Sequence, residues 1–296
     1  MSLPHTGEVE IVAPREAAEI VEDVAEDHGA ERLLIVLDVD GTVILEDETL
    51  SPGVVEAVED AGLAGHEVMI ATGRSWAGTE DMLRALNIEP EYVVCSNGAV
   101  VMKRDGVEYV RAHTETFDPT QVLTLLRVHL PHARYMVELA DGERLYTDII
   151  DDWNLERARK VTFDALIGTP VSRVVVVSPG HDEEDFSRLV EDIGLNHVSY
   201  AIGWTAWLDI APQGVDKGTA LELVRGWLGF DPAHVLVIGD GRNDLGMFAW
   251  ARRNGGRAIA MAQGPQEVRD AASHITTSVQ EGGVAAALRR LRAGGR

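Results

Sequence analysis

The chain has 296 residues, 45% hydrophobic and 25% charged, enough for one large domain or two moderate ones around a sizeable core. Its net charge of -23 argues against nucleic acid or an anionic membrane as partner, and an anionic substrate would need a local positive pocket or a metal. A single cysteine, Cys95, rules out an intrachain disulfide; together with the lack of a signal-like start or a membrane-length apolar run, this makes the cytoplasm the expected location.

Residues 1–31 are acidic, and Ala17, Ile20, Val21 and Val24 recur at helical spacing between Pro14 and Gly29. The spacing predicts an N-terminal helix over 14–28. From Leu33 the pattern alternates. Short apolar stretches at 33–39, 67–72 and 92–96 read as strands, and 52–62 and 76–86 as amphipathic helices. Such alternation indicates a parallel, doubly wound α/β sheet covered on both faces.

Near Asn97-Gly98 the character changes. One hairpin is expected to turn at Arg104-Asp105-Gly106 and another at Asp141-Gly142. From His197 to Ile210 every even position is apolar, which is strand periodicity bent or turned at Gly203. After Lys217 the alternation returns: strands at "HVLVIGD", "GRAIAM" and "HITT", helices at "NDLGMFAWA", "PQEVRDAA" and "GGVAAALRRLR". The expected organisation is an acidic helical extension over 1–31, a core from 32–97 and 206–296, and an inserted α+β unit over 98–205.

Ligands of open α/β sheets sit at the carboxyl ends of the strands. The stretch 33–39 runs five apolar residues into Asp38 and delivers Asp40 two residues on; the next strand delivers Thr72-Gly73-Arg74. The strand ending at Gly239 delivers Asp240, with Asn243 and Asp244 behind it, and Lys217, one of only 3 lysines, opens a helix. Acids this close repel one another unless a cation joins them, and an oxygen-only ligand set suits Mg²⁺. Lys217 and Thr72 make sense as a point charge and a hydroxyl donor for a phosphoryl group, with Thr42 and the Gly41-Thr42 amides as further donors. Asp38 is then the candidate nucleophile, and Asp40 the acid that protonates the leaving oxygen and later deprotonates water.

"DVDGT" at 38–42, "ATGR" at 71–74, Lys217 in "GVDKGTAL" and "GDGRND" at 239–244 resemble, in order, the four motifs of the haloacid dehalogenase superfamily. The resemblance extends from about Leu33 to Leu291. It implies a Rossmannoid core, Asp38 as nucleophile and Asp40 as acid/base, with Mg²⁺ on Asp38, the Asp40 backbone carbonyl and Asp240, supported by Asp244. It also implies a phosphoryl group held by Thr72 and Lys217. The spacing between Arg74 and Lys217, with "SNGA" at 96–99 and "APQGVDKG" at 211–218, is similar to members with a C2-type cap, the Cof-type phosphatases. Arg242, "AMAQG" at 260–264 and "EGGV" at 281–284 depart from the family's usual residues.

The resulting expectation is a Mg²⁺-dependent phosphatase acting on a small phosphorylated metabolite, such as a sugar phosphate, through an aspartyl-phosphate. A phosphomutase and a phosphorylatable or metal-binding regulator without turnover are the alternatives, and an Asp-x-Asp triplet alone also fits a glycosyltransferase. Arg74 reads as either a substrate or cap contact or a surface salt bridge, and Asn97 as a hinge or rim donor. Trp76, Trp153, Trp204 and Trp207 read as packing aromatics before a sugar-stacking platform. Oligomeric state is not legible.

Overall fold

A computed structural model describes residues 32–149, 157–195, 198–202 and 206–293. The helix expected over 14–28, with Trp153, Gly203 and Trp204, lies outside the described residues. In chain order the strands are β1 (Leu34–Leu37), β2 (Glu67–Ile70), β3 (Tyr92–Cys95), β4 (Val100–Asp105), β5 (Glu108–Thr114), β6 (Arg134–Leu139) and β7 (Arg144–Tyr146). They continue as β8 (Ala158–Lys160), β9 (Val171–Val177), β10 (Val198–Ile202), β11 (Trp207–Pro212), β12 (Val235–Gly239), β13 (Arg257–Ala260) and β14 (His274–Ile275).

A five-stranded sheet in the order β14-β13-β12-β1-β2 is parallel throughout. The unbroken apolar run of β1 follows from burial on both faces. Leu33, Ile35, Leu37 and Val39 pack with helices Val54–Leu63 and Gly283–Ala293, whereas Leu34 and Val36 pack with helices Lys217–Leu228 and Leu245–Arg253. Burying each such side chain contributes roughly 1.5–3 kcal/mol. The sheet is therefore a rigid platform, and it anchors the loops at the carboxyl ends of β1 and β12.

Next to β2, the Ala71–Val94 bridge joins a three-stranded antiparallel sheet, β3-β4-β5, and Thr72 N–H donates to Val94 O (2.9 Å). A six-stranded sheet comes next in the order β10-β11-β9-β6-β7-β8. Helices Thr120–His129 and Glu183–Ile193 cover one of its faces, where Leu123, Leu126 and Phe186 meet Tyr135, Val174 and Ile210. Met136, Tyr146 and Val175 line the opposite face, with Trp207 packed against them.

Both expected limits of the inserted unit move. The hairpin β4-β5 pairs with β3, and Val100, Val101 and Met102 sink into the two clusters flanking the parallel sheet, so 98–114 packs with the core. At the other end β11 pairs with β10 and β9, keeping 207–212 in the six-stranded sheet. The apolar alternation at 198–202 and at 207–210 thus belongs to two antiparallel strands. Trp76 stacks on Tyr109 (centroids 4.9 Å apart) against the core, which accounts for it as packing.

Candidate active site

Asp38 immediately follows β1, and its N–H still donates to Ile238 O of the neighbouring strand (3.0 Å). The sheet thereby fixes a carboxylate that is only 3% exposed. Lys217 reaches it from the first turn of helix Lys217–Leu228. Asp216 caps that helix: its side chain accepts from Thr219 N (2.8 Å), while Thr219 Oγ1 accepts from Asp216 N (3.0 Å). With no exposed surface of its own, Lys217 donates from Nζ to Asp38 Oδ1 (2.5 Å) and Asp244 Oδ1 (2.7 Å).

The other oxygen of Asp244 accepts the backbone N–H groups of Asp240 and Gly241, both at 2.9 Å. Asp244 thus ties the loop after β12 to Lys217. Asp240 is held more loosely: Thr42 Oγ1 and Gln263 Nε2 donate to it, each at 3.4 Å. Gly41 is required here. Its φ is +76°, and a Cβ would lie 2.2 Å from Asp240 Oδ2.

One ammonium cannot neutralise three buried carboxylates. Asp38, Asp240 and Asp244 each present an oxygen within 4.8 Å of the others. Burial first, then the charge of Asp244, raises the Asp38 pKa well above the usual carboxylate range, against the pull of Lys217. The same two causes bring Asp240 to about 7. For Lys217, burial works against the charged form, but Asp244 and Asp38 outweigh it and hold its pKa above that of an ordinary lysine. A cluster with this surplus of hard, anionic oxygen donors fits a divalent cation of the magnesium type.

Asp40 stands apart from these acids. Its side chain is 50% exposed, and Arg74 grips it through Nε (3.0 and 3.1 Å) and Nη2 (2.6 Å) while reaching Glu48 (3.0 Å). Of the expected set, the carboxylates of Asp38, Asp240 and Asp244 converge, while the carboxylate of Asp40, whose expected metal contact is its backbone carbonyl, pairs with Arg74. Arg74 thus makes a solvent-exposed salt bridge beside the acid cluster.

Buried Thr72 accepts Arg74 N–H at its Oγ1 (3.1 Å), which leaves the hydroxyl proton to be donated elsewhere. Asn243 Nδ2 donates to Asn97 Oδ1 (3.1 Å). Thr42 differs from expectation. Its hydroxyl turns to Asp240, its N–H donates to Val39 O (3.2 Å), and Gly41 N–H donates to Ile44 O (3.0 Å), so the tight turn consumes these amides. Cys95 is fully buried with its thiol pushed up to about 12, chiefly by burial, and is inert.

Gln263 is the contributor the sequence reading passes over as a mere departure. Its Nε2 donates to Gly41 O (2.6 Å) and its Oε1 accepts from Val279 N (3.0 Å), tying the first motif to the segment at Val279. Arg242, the other departure, pairs with Glu267 at the surface.

A family model described as haloacid dehalogenase-like hydrolase matches residues 35–288. The chain is 29% identical over 277 residues to YxeH of Bacillus subtilis, a protein named among the phosphatases, covering 87% of this chain and 97% of that one. It is 25% identical over 265 residues to the 5-amino-6-(5-phospho-D-ribitylamino)uracil phosphatase YitU of the same organism, covering 86% and 96%. Among solved structures, a haloacid dehalogenase-like hydrolase from Bacteroides thetaiotaomicron superposes with a TM-score of 0.70 at 24% identity, covering 88% of this chain and 99% of that one.

Proposed function

The chain belongs to the haloacid dehalogenase-like hydrolases, and we propose that it is a phosphatase that hydrolyses a small phosphomonoester through an aspartyl-phosphate at Asp38. The observation that carries this reading is the state of Asp38. It is a buried carboxylate with one oxygen tied to a buried lysine, at the end of a central strand and among further acids. Structural carboxylates are seldom held like this, because their burial costs stability that nothing else in the fold returns.

In this reading Oδ2 of Asp38 attacks phosphorus, forming an Asp38–phosphoryl bond as the bond from phosphorus to the leaving oxygen breaks. Lys217 holds Oδ1 and so fixes the trajectory. The Thr72 hydroxyl and the Lys217 ammonium take up charge on the phosphoryl oxygens, with Gly73, Arg74 and Asn243 at the rim. Asp40 turns from Arg74, takes up a proton from solvent and gives it to the leaving oxygen. As carboxylate it then takes a proton from the water that attacks phosphorus, which releases inorganic phosphate and restores Asp38. Magnesium would be held by Asp38, Asp240 and the Asp40 backbone carbonyl, with Asp244 orienting them, and would supply Lewis-acid stabilisation of the transferring group. The six-stranded unit acts as a cap that excludes bulk water and selects the leaving group.

The similarity to YitU implies a phosphorylated metabolite as substrate. The test is phosphate release from a panel of phosphorylated metabolites with Mg²⁺, run beside Asp38→Asn. Release that vanishes in the variant supports the reading. Release that survives in the variant, or none from any compound, overturns it.

A further inference from the structure

The turn Ser96–Asn97–Gly98 links β3 to β4 in the core and faces the cap, and its three consecutive residues have φ of 50°, 52° and 103°. Two of these carry side chains, and such residues keep left-handed φ only where their neighbours over-determine it. Here the neighbours come from both units. On the core side, Ser96 N donates to Arg74 O (2.8 Å) and Asn97 N to Thr72 O (3.0 Å), so the turn backs the loop Thr72–Arg74. Gly98 approaches Asp216 so closely that a Cβ would meet its carbonyl oxygen at 2.2 Å.

On the cap side, Ser96 Oγ donates to Glu138 Oε2 (3.2 Å) and Asn97 Nδ2 to Asp209 Oδ2 (3.1 Å). Both carboxylates are buried, and each also holds an arginine. Glu138 accepts from Arg111 (2.7 Å), and Asp209 accepts from Arg173 Nε (2.7 Å) and Nη2 (2.6 Å). The arginines fix where these carboxylates lie, and the carboxylates fix the turn.

We propose that Asn97 is a positioning residue that transmits the seating of the cap to the phosphate-holding end of the site. A carboxamide suits this task because one end donates and the other accepts. The Asp209 carboxylate can only accept, which assigns Nδ2 of Asn97 to the cap and leaves Oδ1 to receive Asn243 Nδ2 (3.1 Å). Asparagine also tolerates left-handed φ better than other side chains do. With the cap seated, Asn97 aligns Asn243 and the loop Thr72–Arg74 together; with the cap lifted, it loses Asp209 and both lose their alignment. The inference rests on the phosphatase reading.

The test uses the full chain with Asn97→Asp, Asn97→Gly, and the swap Asn97→Asp with Asp209→Asn. Asn97→Asp sets two carboxylates against each other. Asn97→Gly keeps the left-handed turn and deletes the carboxamide. The swap restores a donor–acceptor pair between positions 97 and 209 at unchanged net charge, while Asp209→Asn leaves Arg173 one acceptor oxygen in place of two. Two readouts are taken: kcat/KM for phosphate release from the preferred panel compound, and amide hydrogen exchange at Thr72–Arg74 and Ser96–Gly98. Both single variants should lose roughly 10- to 100-fold in kcat/KM and exchange faster at those amides. The swap should recover at least about fivefold of the kcat/KM that Asn97→Asp loses and slow exchange at those amides again, a recovery that a general loss of stability would not give. Single variants that match wild type, or a swap no better than Asn97→Asp, would overturn the inference. If the wild type releases no phosphate at all, the phosphatase reading fails, and the exchange pattern across the three variants decides this inference alone.

Discussion

Replacing Lys217 with methionine removes the ammonium that pairs with Asp38 and Asp244, the only cation in this acid cluster among the described residues, while preserving most of its volume. In the native chain Nζ lies 2.5 Å from Asp38 and 2.7 Å from Asp244, with no exposed surface on the lysine. Removing one partner of a buried ion pair costs about 3–5 kcal/mol, because the charge left behind has neither water nor a counterion. The variant can relieve this by protonating a carboxylate, which becomes costlier by about 1.4 kcal/mol per pH unit as pH rises. Urea denaturation in EDTA at pH 8 should therefore show a loss of about 3–5 kcal/mol, or roughly 6–20 °C in Tm. At pH 5.5 the loss should be smaller, since Asp240, brought to about 7, already favours its neutral form. A loss below about 1 kcal/mol at pH 8, or a larger loss at low pH, would refute the view that Lys217 neutralises these acids.

The same cluster yields two further outcomes. Asp240 has a folded-state pKa of about 7, above its ordinary value, so the stability it contributes is full below about pH 4 and falls as pH rises to 7. In EDTA, acidification from pH 7 to 5 should thus recover about 2 kcal/mol from this group, and Mg²⁺ should flatten the profile; thermal melts across pH would contradict this if Mg²⁺ left the slope unchanged. Gly41→Ala forces a side chain into left-handed backbone and against Asp240 Oδ2. It should cost about 1–3 kcal/mol and roughly 100-fold in phosphate release, and wild-type turnover would show that Asp240 is not needed where it stands.

The core was legible because burial on both faces leaves a plain trace: an apolar run such as Leu33–Leu37 ending in Asp38 has few other interpretations. Asp240, Asp244 and Lys217 were legible for a related reason, each standing at a strand end or helix start where polar residues face the sheet's rim. Gln263 was not, since its contacts with Gly41 and Val279 join loops distant in sequence, and a glutamine after Ala260–Met261 carries no local sign of them. Helix Thr120–His129 buries Val122, Leu123 and Leu126, yet so short a stripe in a stretch of mixed polarity does not stand out as a helix in the sequence. The limits of the inserted unit were misplaced because strands carry no label of the sheet they join. Only pairing shows that β11 belongs with β9 and that β4 belongs with β3. The acid/base role expected of Asp40 says nothing of the salt bridge that its carboxylate makes with Arg74, a contact set by the loop after β2.

The most direct test of the chemistry asks whether Asp38 carries the phosphoryl group. Turnover of the best panel substrate would be quenched in acid, the protein reduced with borohydride, and position 38 read by peptide mass. An acyl phosphate is reduced to the alcohol, whereas a free carboxylate is not. Homoserine at position 38, appearing with substrate and absent without it, is the expected result. Aspartate intact at 38 while phosphate is released would contradict nucleophilic attack by this residue.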